Sequence, residues 1–436
     1  MQTQNMNGPE SDKKLVVAHF MVGNTFPYTI DDWREDIQLA VAHGIDAFAL
    51  NIGVERWQRE SVAQCYAAAL EIQAPFGLFL SFDMCSLSGT CREDVAVLRG
   101  YIAAFARHPN QLLYRGKMLV STFAGQDSLF GHDTLHEAWQ FVKETLEEIA
   151  PVHLIPSFFI DPRRYPTIPA TDGYFNWNGG WPIHLTVDSP REDVVKAKLD
   201  TDRHHLHHLG GRTFMAAVSP WFFTHYGPES WNKNWIYRGD DWLYVRRWEQ
   251  LIETRDQIDI VQIISWNDFG ESHYIGPIKG AQPNSHAWVD GFPHTAWLDL
   301  TRYFARAFKV GAYPPIERDR IYMWARPHLR EADAVDDPVG RPKHWQLTDD
   351  TIWVVILATE PAEVRVWARD DRPARTFSVG KGLSKLSYPM EVGGGMGAQI
   401  IRDGMVVAEC APSKDEFVVQ ERPKTYNFNA FVAMSS

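Results

Sequence analysis

Eight short apolar runs recur along the chain, at Leu15–Met21, Ala47–Ile52, Gly77–Phe82, Met118–Phe123, His153–Ile160, Gly173–Trp177, Thr213–Val218 and Ile260–Trp266. Each is close to continuously apolar instead of alternating, the pattern of strands buried on both faces. Apolar positions at helical spacing fill Asp32–His43, Ser61–Gln73, Glu93–Arg107, His136–Ile149, Glu192–Leu209, Asp241–Arg255 and Ala296–Phe308. Asp31, Ser61 and Thr134 are candidate N-caps for three of these helices. The fifth connection, Asp161–Thr171, carries too many prolines for a full helix. Strand and helix alternating through eight units predict an α/β fold, a (β/α)8 TIM barrel over residues 15–315. A doubly wound sheet is the alternative, weakened by the eight repeats and the lack of a Gly-rich phosphate loop.

The pattern changes near residue 315. Pro314, Pro315 and the charged stretch Glu317–Arg320 mark a junction. Beyond it, Ile352–Leu357, Glu363–Ala368, Gln399–Ile401 and Glu416–Gln420 alternate and are separated by Gly, Pro and Asp. They predict a C-terminal β-sandwich domain over residues 316–436. Arg330–Arg341 is acidic and polar and reads as a mobile loop. The start, residues 1–14, reads as a disordered polar tail without the apolar core of a signal peptide. That start points to an intracellular location; the alternative is export followed by removal of a leader.

Composition narrows the partner. The chain has 436 residues, 45% of them hydrophobic, enough for a barrel and a smaller domain. A net charge of -12 leaves no basic face for a phosphate backbone, so no nucleic-acid partner is expected. No apolar run approaches the roughly 20 residues needed to cross a bilayer, so none spans a membrane as a helix. Seventeen tryptophans are several-fold above average usage, and many fall in loops between strands. Packing of a large barrel accounts for some; together they resemble a carbohydrate-binding surface. Cys65, Cys85, Cys91 and Cys410 show no metal-type spacing. Cys85 and Cys91 flank a Gly-containing loop and suit a small disulfide and two free thiols equally.

A barrel builds its site from the C-terminal ends of its strands. Here these ends carry His19 and Asn24, Asn51, Asp83, Gln126 and Asp127, Asp161, then Asn176, Trp177 and Asn178. Strand seven adds Ser219, Trp221, His225 and Tyr226; strand eight adds Trp266, Asn267, Asp268 and Glu271. Amides, carboxylates and indoles dominate, as a neutral, hydroxyl-rich ligand requires; an anionic ligand would call for Arg and Lys. Several have a second reading: Asp83 as a turn cap, Asp161 before Pro162 as a turn former, Asn51 as a loop tie, His19 as a core histidine. His204, His205, His207 and His208 sit on a charged helix and read as a solvated face before a metal cluster. Asp240 and Asp241 read as a helix start. Asp268 and Glu271, three residues apart at a strand end, have the weakest structural explanation, because two acids so close are costly without a use.

Several segments together resemble glycoside hydrolase family 71, the fungal endo-α-1,3-glucanases or mutanases. They are Ala18–Asn24, Gly44–Asn51, Ser81–Asp83, Asn176–Pro182, Val218–Tyr226 and Trp266–Ser272. The resemblance covers roughly residues 14–430. It implies a barrel with a C-terminal β-sandwich and inverting hydrolysis of α-1,3-glucan. It also implies that no cofactor or metal is needed, and that Asp268 and Glu271 are the catalytic carboxylates. The expected partner is the glucan or its oligosaccharides, met by a monomer.

An inverting pair needs one neutral carboxyl and one carboxylate, with roughly 6.5–9.5 Å between them for a water. Glu271 is expected as the acid, because it is longer and aromatic neighbours would raise its pKa, and Asp268 as the base. Gly270 is expected to let the chain bend between them. If the spacing is too short, Asp83 or Asp161 becomes the base. Trp177, Trp221 and Trp266 are expected to stack on sugars. His19, Asn51, Asp83, Gln126, Asp127, Asn176, His225, Tyr226 and Asn267 are expected to line or hold the substrate. Two rival readings are action on another α-glucan linkage and non-catalytic glucan binding.

Overall fold

In the computed structural model, which describes residues 13–369 and 371–436, eight parallel strands form one curled sheet. They are β1 Leu15–Met21, β2 Ala47–Ile52, β3 Gly77–Asp83, β4 Lys117–Phe123, β5 Val152–Ser157, β6 Gly173–Asn176, β7 Thr213–Val218 and β8 Ile260–Ile263. Seven parallel ladders join them in the order β5-β4-β3-β2-β1-β8-β7-β6. At the remaining seam, between β5 and β6, Asp172 N–H donates to Leu154 O at 2.9 Å and the Asp172 carboxylate accepts from Leu154 N–H at 2.9 Å. The polar N-terminal residues 1–12 lie outside the described residues.

The helices are α1 Ile30–Ala42, α2 Gln58–Ile72, α3 Val95–Phe105, α4 Leu135–Glu147, α5 Arg191–Val194, α6 Thr201–His208, α7 Leu243–Glu253, α8 His286–Val289 and α9 Thr295–Val310. No described helix is long and apolar enough to cross a membrane. Thr134 caps α4 with Glu137 in a reciprocal capping box, as expected. Two expected caps are corrected. Thr29, not Asp31, caps α1, because its hydroxyl is paired with Asp32. Ser61 lies inside α2, where its hydroxyl meets Thr25 Oγ1 at 2.6 Å. The helix expected over Glu192–Leu209 is broken into α5 and α6. Lys196 takes φ 51° between them and gives its N–H to Asp241.

Two four-stranded antiparallel sheets follow. They are built from β9 Arg320–Ala325, β10 Thr351–Ala358, β11 Ala362–Trp367, β12 Arg375–Val379, β13 Gly382–Pro389, β14 Gly397–Arg402, β15 Met405–Cys410 and β16 Phe431–Met434. One has the order β13-β10-β9-β16, the other β12-β11-β14-β15. Ile321, Met323, Val354 and Ile356 of the first bury against Val364, Val366, Ala398 and Ile400 of the second, as alternation predicts. The strand expected at Glu416–Gln420 is absent: Glu416 turns back to accept from Ser413 N–H and hydroxyl, forming a turn. The first of these sheets, with the segments flanking its strands, locks onto the curled sheet and its loops, and the second packs on its far face. Trp221 Nε1 donates to Phe428 O at 2.8 Å, His294 Nε2 lies 2.9 Å from Ala430 O, and Arg238 pairs with Asp349 at 2.6 Å. Asp240 and Asp241 precede α7, and both face the buried Arg238 guanidinium.

Candidate active site

β8 ends at Ile263, three residues earlier than its apolar run suggests. The chain then folds into a tight loop. Ser265 N–H donates to His273 O and Trp266 N–H to His19 O, both at 2.7 Å. Ser265 Oγ accepts from Asp268 N–H at 2.8 Å and lies 3.0 Å from His273 Nδ1. This loop delivers Asp268, Glu271 and His273 to one point above the sheet.

A cavity of about 470 Å³ opens there, lined by Met21, Asn24, Asn51, Asp83, Tyr226, Trp231, Lys233, Asp268 and Glu271 among others. The Asp268 and Glu271 side chains are 17% and 20% exposed, so they reach the cavity from a mostly dry surround. Glu271 Oε1 accepts from Lys233 Nζ at 3.1 Å, and Oε2 lies 3.3 Å from His273 Nε2. Lys233 comes from a hairpin, Phe223–His225 paired with Asn234–Ile236, that follows β7.

These contacts split the two carboxyls. Burial pushes Asp268 up to about 6, and the neighbouring Glu271 charge adds to the rise. Burial also works against ionising Glu271, but the hydrogen bond with His273 and the charge of Lys233 outweigh it and hold the group at about 2. The two carboxyls are thus driven in opposite directions, Asp268 towards holding its proton and Glu271 towards losing it. These shifts run against the expected order, Glu271 as acid and Asp268 as base, because the donors gather on Glu271. The spacing is corrected too: oxygens of the pair come within 4.8 Å of each other, shorter than expected for an inverting pair. The chain does bend at Gly270, in a turn closed by Ser272 N–H donating to Phe269 O at 3.0 Å, and its positive φ falls on Ser272, at 59°. Glycine is required at 270 because a Cβ would stand 2.0 Å from Tyr226 Oη.

The other expected residues divide sharply. Asn51, Asp83 and Tyr226 line the cavity with the pair. Asp83, raised by burial, also accepts Cys85 N–H at 3.0 Å, so it caps its turn while facing the cavity. His19 is buried beneath, held at about 3 by burial and the nearby His273, with Trp177 edge-on at 4.8 Å. Trp177 lines a separate cavity at the ends of β5 and β6. Trp221 and Trp266 are corrected from sugar platforms to core, being 2% and 0% exposed. Asn267 is corrected to a tie: its side chain accepts Met21 N–H at 2.7 Å and donates to Met21 O at 3.1 Å, joining the loop to β1. His225 is corrected likewise. Its Nδ1 lies 2.9 Å from Asn234 Oδ1 and its Nε2 2.9 Å from Asp337 Oδ2. Asn176 donates to Asp202 and Thr201, at 2.7 and 3.0 Å, and anchors α6. Gln126 donates to Asp127 at 2.9 Å, and neither lines the carboxylate cavity. Asp161 pairs with Arg163 and caps the 3-10 turn Pro162–Thr167, far from use as a base.

Arg330–Arg341 is not a loose loop. Asp337 accepts from Tyr426, Val339 and Gly340 N–H besides meeting His225, and Asn234 Nδ2 donates to Gly340 O at 3.0 Å. The segment clamps the hairpin that carries Lys233. Sequence reasoning missed Lys233, His273 and Trp231. His273 lay within reach, two residues after Glu271; Lys233 and Trp231 sit in a hairpin with no distinguishing pattern. Among the described residues, Asp268, Glu271 and His273 are the group whose donor atoms could hold a metal, although Lys233 already supplies a cation there. The four histidines of α6 form no such group: His205 bonds Tyr165 at 2.6 Å and His204 approaches Asp161 at 3.4 Å. Cys85 and Cys91 are unbridged and exposed.

Comparison with known proteins gives the site a context. A model of glycosyl hydrolase family 71 matches residues 12–436. A glucan endo-1,3-α-glucosidase of Schizosaccharomyces pombe is 37% identical over 97% of this chain and 94% of its own length. A mutanase of Penicillium rubens is 32% identical, covering 97% of this chain and 89% of that protein. An ascus wall endo-1,3-α-glucanase of Schizosaccharomyces pombe is 32% identical over 81% of each chain.

Proposed function

The chain belongs to glycosyl hydrolase family 71, and on that footing we propose that it is a glucan endo-1,3-α-glucosidase. It hydrolyses α-1,3-linked glucan, the activity for which its relatives are named. The observation that carries the reading is the Asp268–Glu271 pair in one cavity, with contacts that drive the two carboxyls in opposite directions. Eight strands with seven parallel ladders, and the Asp172 bridge at the eighth seam, support a closed (β/α)8 barrel over residues 15–315. Residues 316–436 are then the β-sandwich domain. Asn51, Asp83 and Tyr226 offer polar contacts to sugar hydroxyls, and the half-exposed Trp231 offers a ring face.

In the mechanism, Asp268 protonates the glycosidic oxygen and Glu271 takes a proton from the attacking water, with inversion. Water enters only if the two carboxyls part beyond their ligand-free spacing. Asp83, on the wall of the same cavity, is the second base if they do not.

The test combines products and rescue. Linkage-resolved analysis of α-1,3-gluco-oligosaccharide digests should show α-1,3 cleavage, and proton NMR should show the β-anomer first. Asp268→Asn and Glu271→Gln should each lower turnover about 10³-fold. An activated leaving group, as in α-glucosyl fluoride, should restore Asp268→Asn, and azide should restore Glu271→Gln. The opposite rescue pattern returns the roles to the other residue. Near-normal turnover by either variant removes it from the pair, and azide rescue of Asp83→Asn instead makes Asp83 the base.

A further inference from the structure

We propose that the cavity at the ends of β5 and β6 binds a further glucosyl unit of the same glucan chain, outside the carboxylate cavity. The inference rests on the glucanase reading above. This second cavity measures about 270 Å³ and is lined by Phe159, Trp177, Asn178, Ile183, Thr201 and His205 among others. Its volume falls below the roughly 300–1,000 Å³ of pockets that enclose a whole ligand. It therefore takes one ring of a longer chain.

The lining chemistry selects a neutral, hydroxylated ring. Phe159 is 42% exposed and Ile183 36% exposed, so an apolar surface faces solvent at its edge. Asn178 supplies an amide, Thr201 a hydroxyl and His205 an imidazole, while no Lys, Arg, Asp or Glu lines the space. An anionic ligand would find no cation there.

Position ties this cavity to the catalytic one. The carboxylate cavity lies over the loops after β1, β2, β3, β7 and β8, and the second lies over β5 and β6, at the same edge of the sheet. A string of ring contacts, buried at its His19 end, joins the two. His19, which feels the charges of His273 and Glu271, meets Trp177 at 4.8 Å; Trp177 meets Phe123 at 4.7 Å; Phe123 meets Phe159 at 5.4 Å. Phe159 is fixed from behind by its N–H donating to Gln126 Oε1 at 3.2 Å. A glucan crossing the mouth from the carboxylates would run over the partly exposed Trp177, Phe123 and Phe159 into the second cavity. That extended footing matches attack within a chain instead of at its end.

The experiment uses calorimetric binding of α-1,3-linked glucose oligomers of increasing length to the full chain carrying Asp268→Asn. Affinity should step up once an oligomer spans both cavities. Adding Phe159→Ala should remove that step, about 3–10-fold, while shorter oligomers bind as before. Asn178→Ala, added separately, should do the same and guards against a local effect of the Phe159 change. A step that persists in both double variants overturns the second site, as does an equal loss at every length. If wild-type protein leaves α-1,3-glucan intact and Asp268→Asn binds no oligomer, the glucanase reading fails and takes this inference with it. Intact hydrolysis with a persistent step fails the inference alone.

Discussion

Lys233 Nζ donates to Glu271 Oε1 at 3.1 Å and so separates the ionisation of two carboxyls placed three residues apart. A general acid must be protonated and a general base ionised, so activity should survive only between the two pKa values. With Asp268 pushed up to about 6 and Glu271 held at about 2, kcat/KM should fall as pH rises through about 6 and as it drops towards 2. Lys233→Met takes away the cation that favours ionised Glu271, so the acidic limb should move to higher pH. Initial rates across pH for both proteins provide the check; an acidic limb that stays in place uncouples Lys233 from the base.

Gly270 and Tyr226 are in direct opposition. Gly270→Ala would set a methyl 2.0 Å from Tyr226 Oη and 3.0 Å from its Cζ, so the carboxylate loop or the Tyr226 ring must shift. A misplacement of about 1 Å costs about 100-fold in rate, and kcat should fall by that order with the fold retained. Tyr226→Phe removes the oxygen and should recover part of the loss when combined with Gly270→Ala. Additive losses in the double variant would show that the clash is not the cause.

Asp337 and His225 are 2% and 5% exposed at their side chains and hold the 330–341 segment to the hairpin. Burial raises Asp337, but the His225 bond and the Tyr426 N–H outweigh it and hold the carboxyl at about 2. A depressed folded-state pKa gives stability that is present above the ordinary carboxylate range and lost as pH falls towards 2. Thermal melts should therefore drop across that window for the wild type and drop less for Asp337→Asn. At neutral pH, Asp337→Ala should cost about 3 kcal/mol, since it leaves buried partners unmet. Equal acid sensitivity of wild type and Asp337→Asn would refute the assignment.

Trp221 lies in the core between the curled sheet and Phe428, stacked near Trp297 at 6.2 Å. Trp221→Phe keeps most of the packing and deletes the bond to Phe428 O. It should lower stability by about 1 kcal/mol and leave KM for glucan unchanged. A large rise in KM with an unaltered melting temperature would return Trp221 to the substrate surface.

The strands were readable because each is a run of apolar residues buried on both faces, a pattern carried entirely by neighbours in sequence. β1, β2 and β7 match their apolar runs end to end. The strand ends were less so. β8 stops at Ile263 although Ile264 and Trp266 continue the apolar pattern, because Ser265 N–H turns to His273 O within the loop, while Trp266 N–H reaches His19 O of the neighbouring β1. The break between α5 and α6 turns on Lys196 meeting Asp241, and the absent strand at Glu416–Gln420 on a turn closed by Ser413. Composition had no access to these partners.

The same division runs through the site. The strand–helix alternation, the alternating C-terminal strands and the Asp268–Glu271 pair just after β8 could all be read from residue order, since periodicity and local spacing are written in adjacent residues. Which carboxyl is pushed up and which down lay beyond local pattern, because that depends on Lys233, 38 positions away, and on how deeply each group is buried. Tertiary structure also decided that Trp266, Asn267 and His225 serve packing and ties while Trp231 faces the cavity. Side-chain type is local, but burial and charge at a site are sums over partners that meet only when the chain has folded.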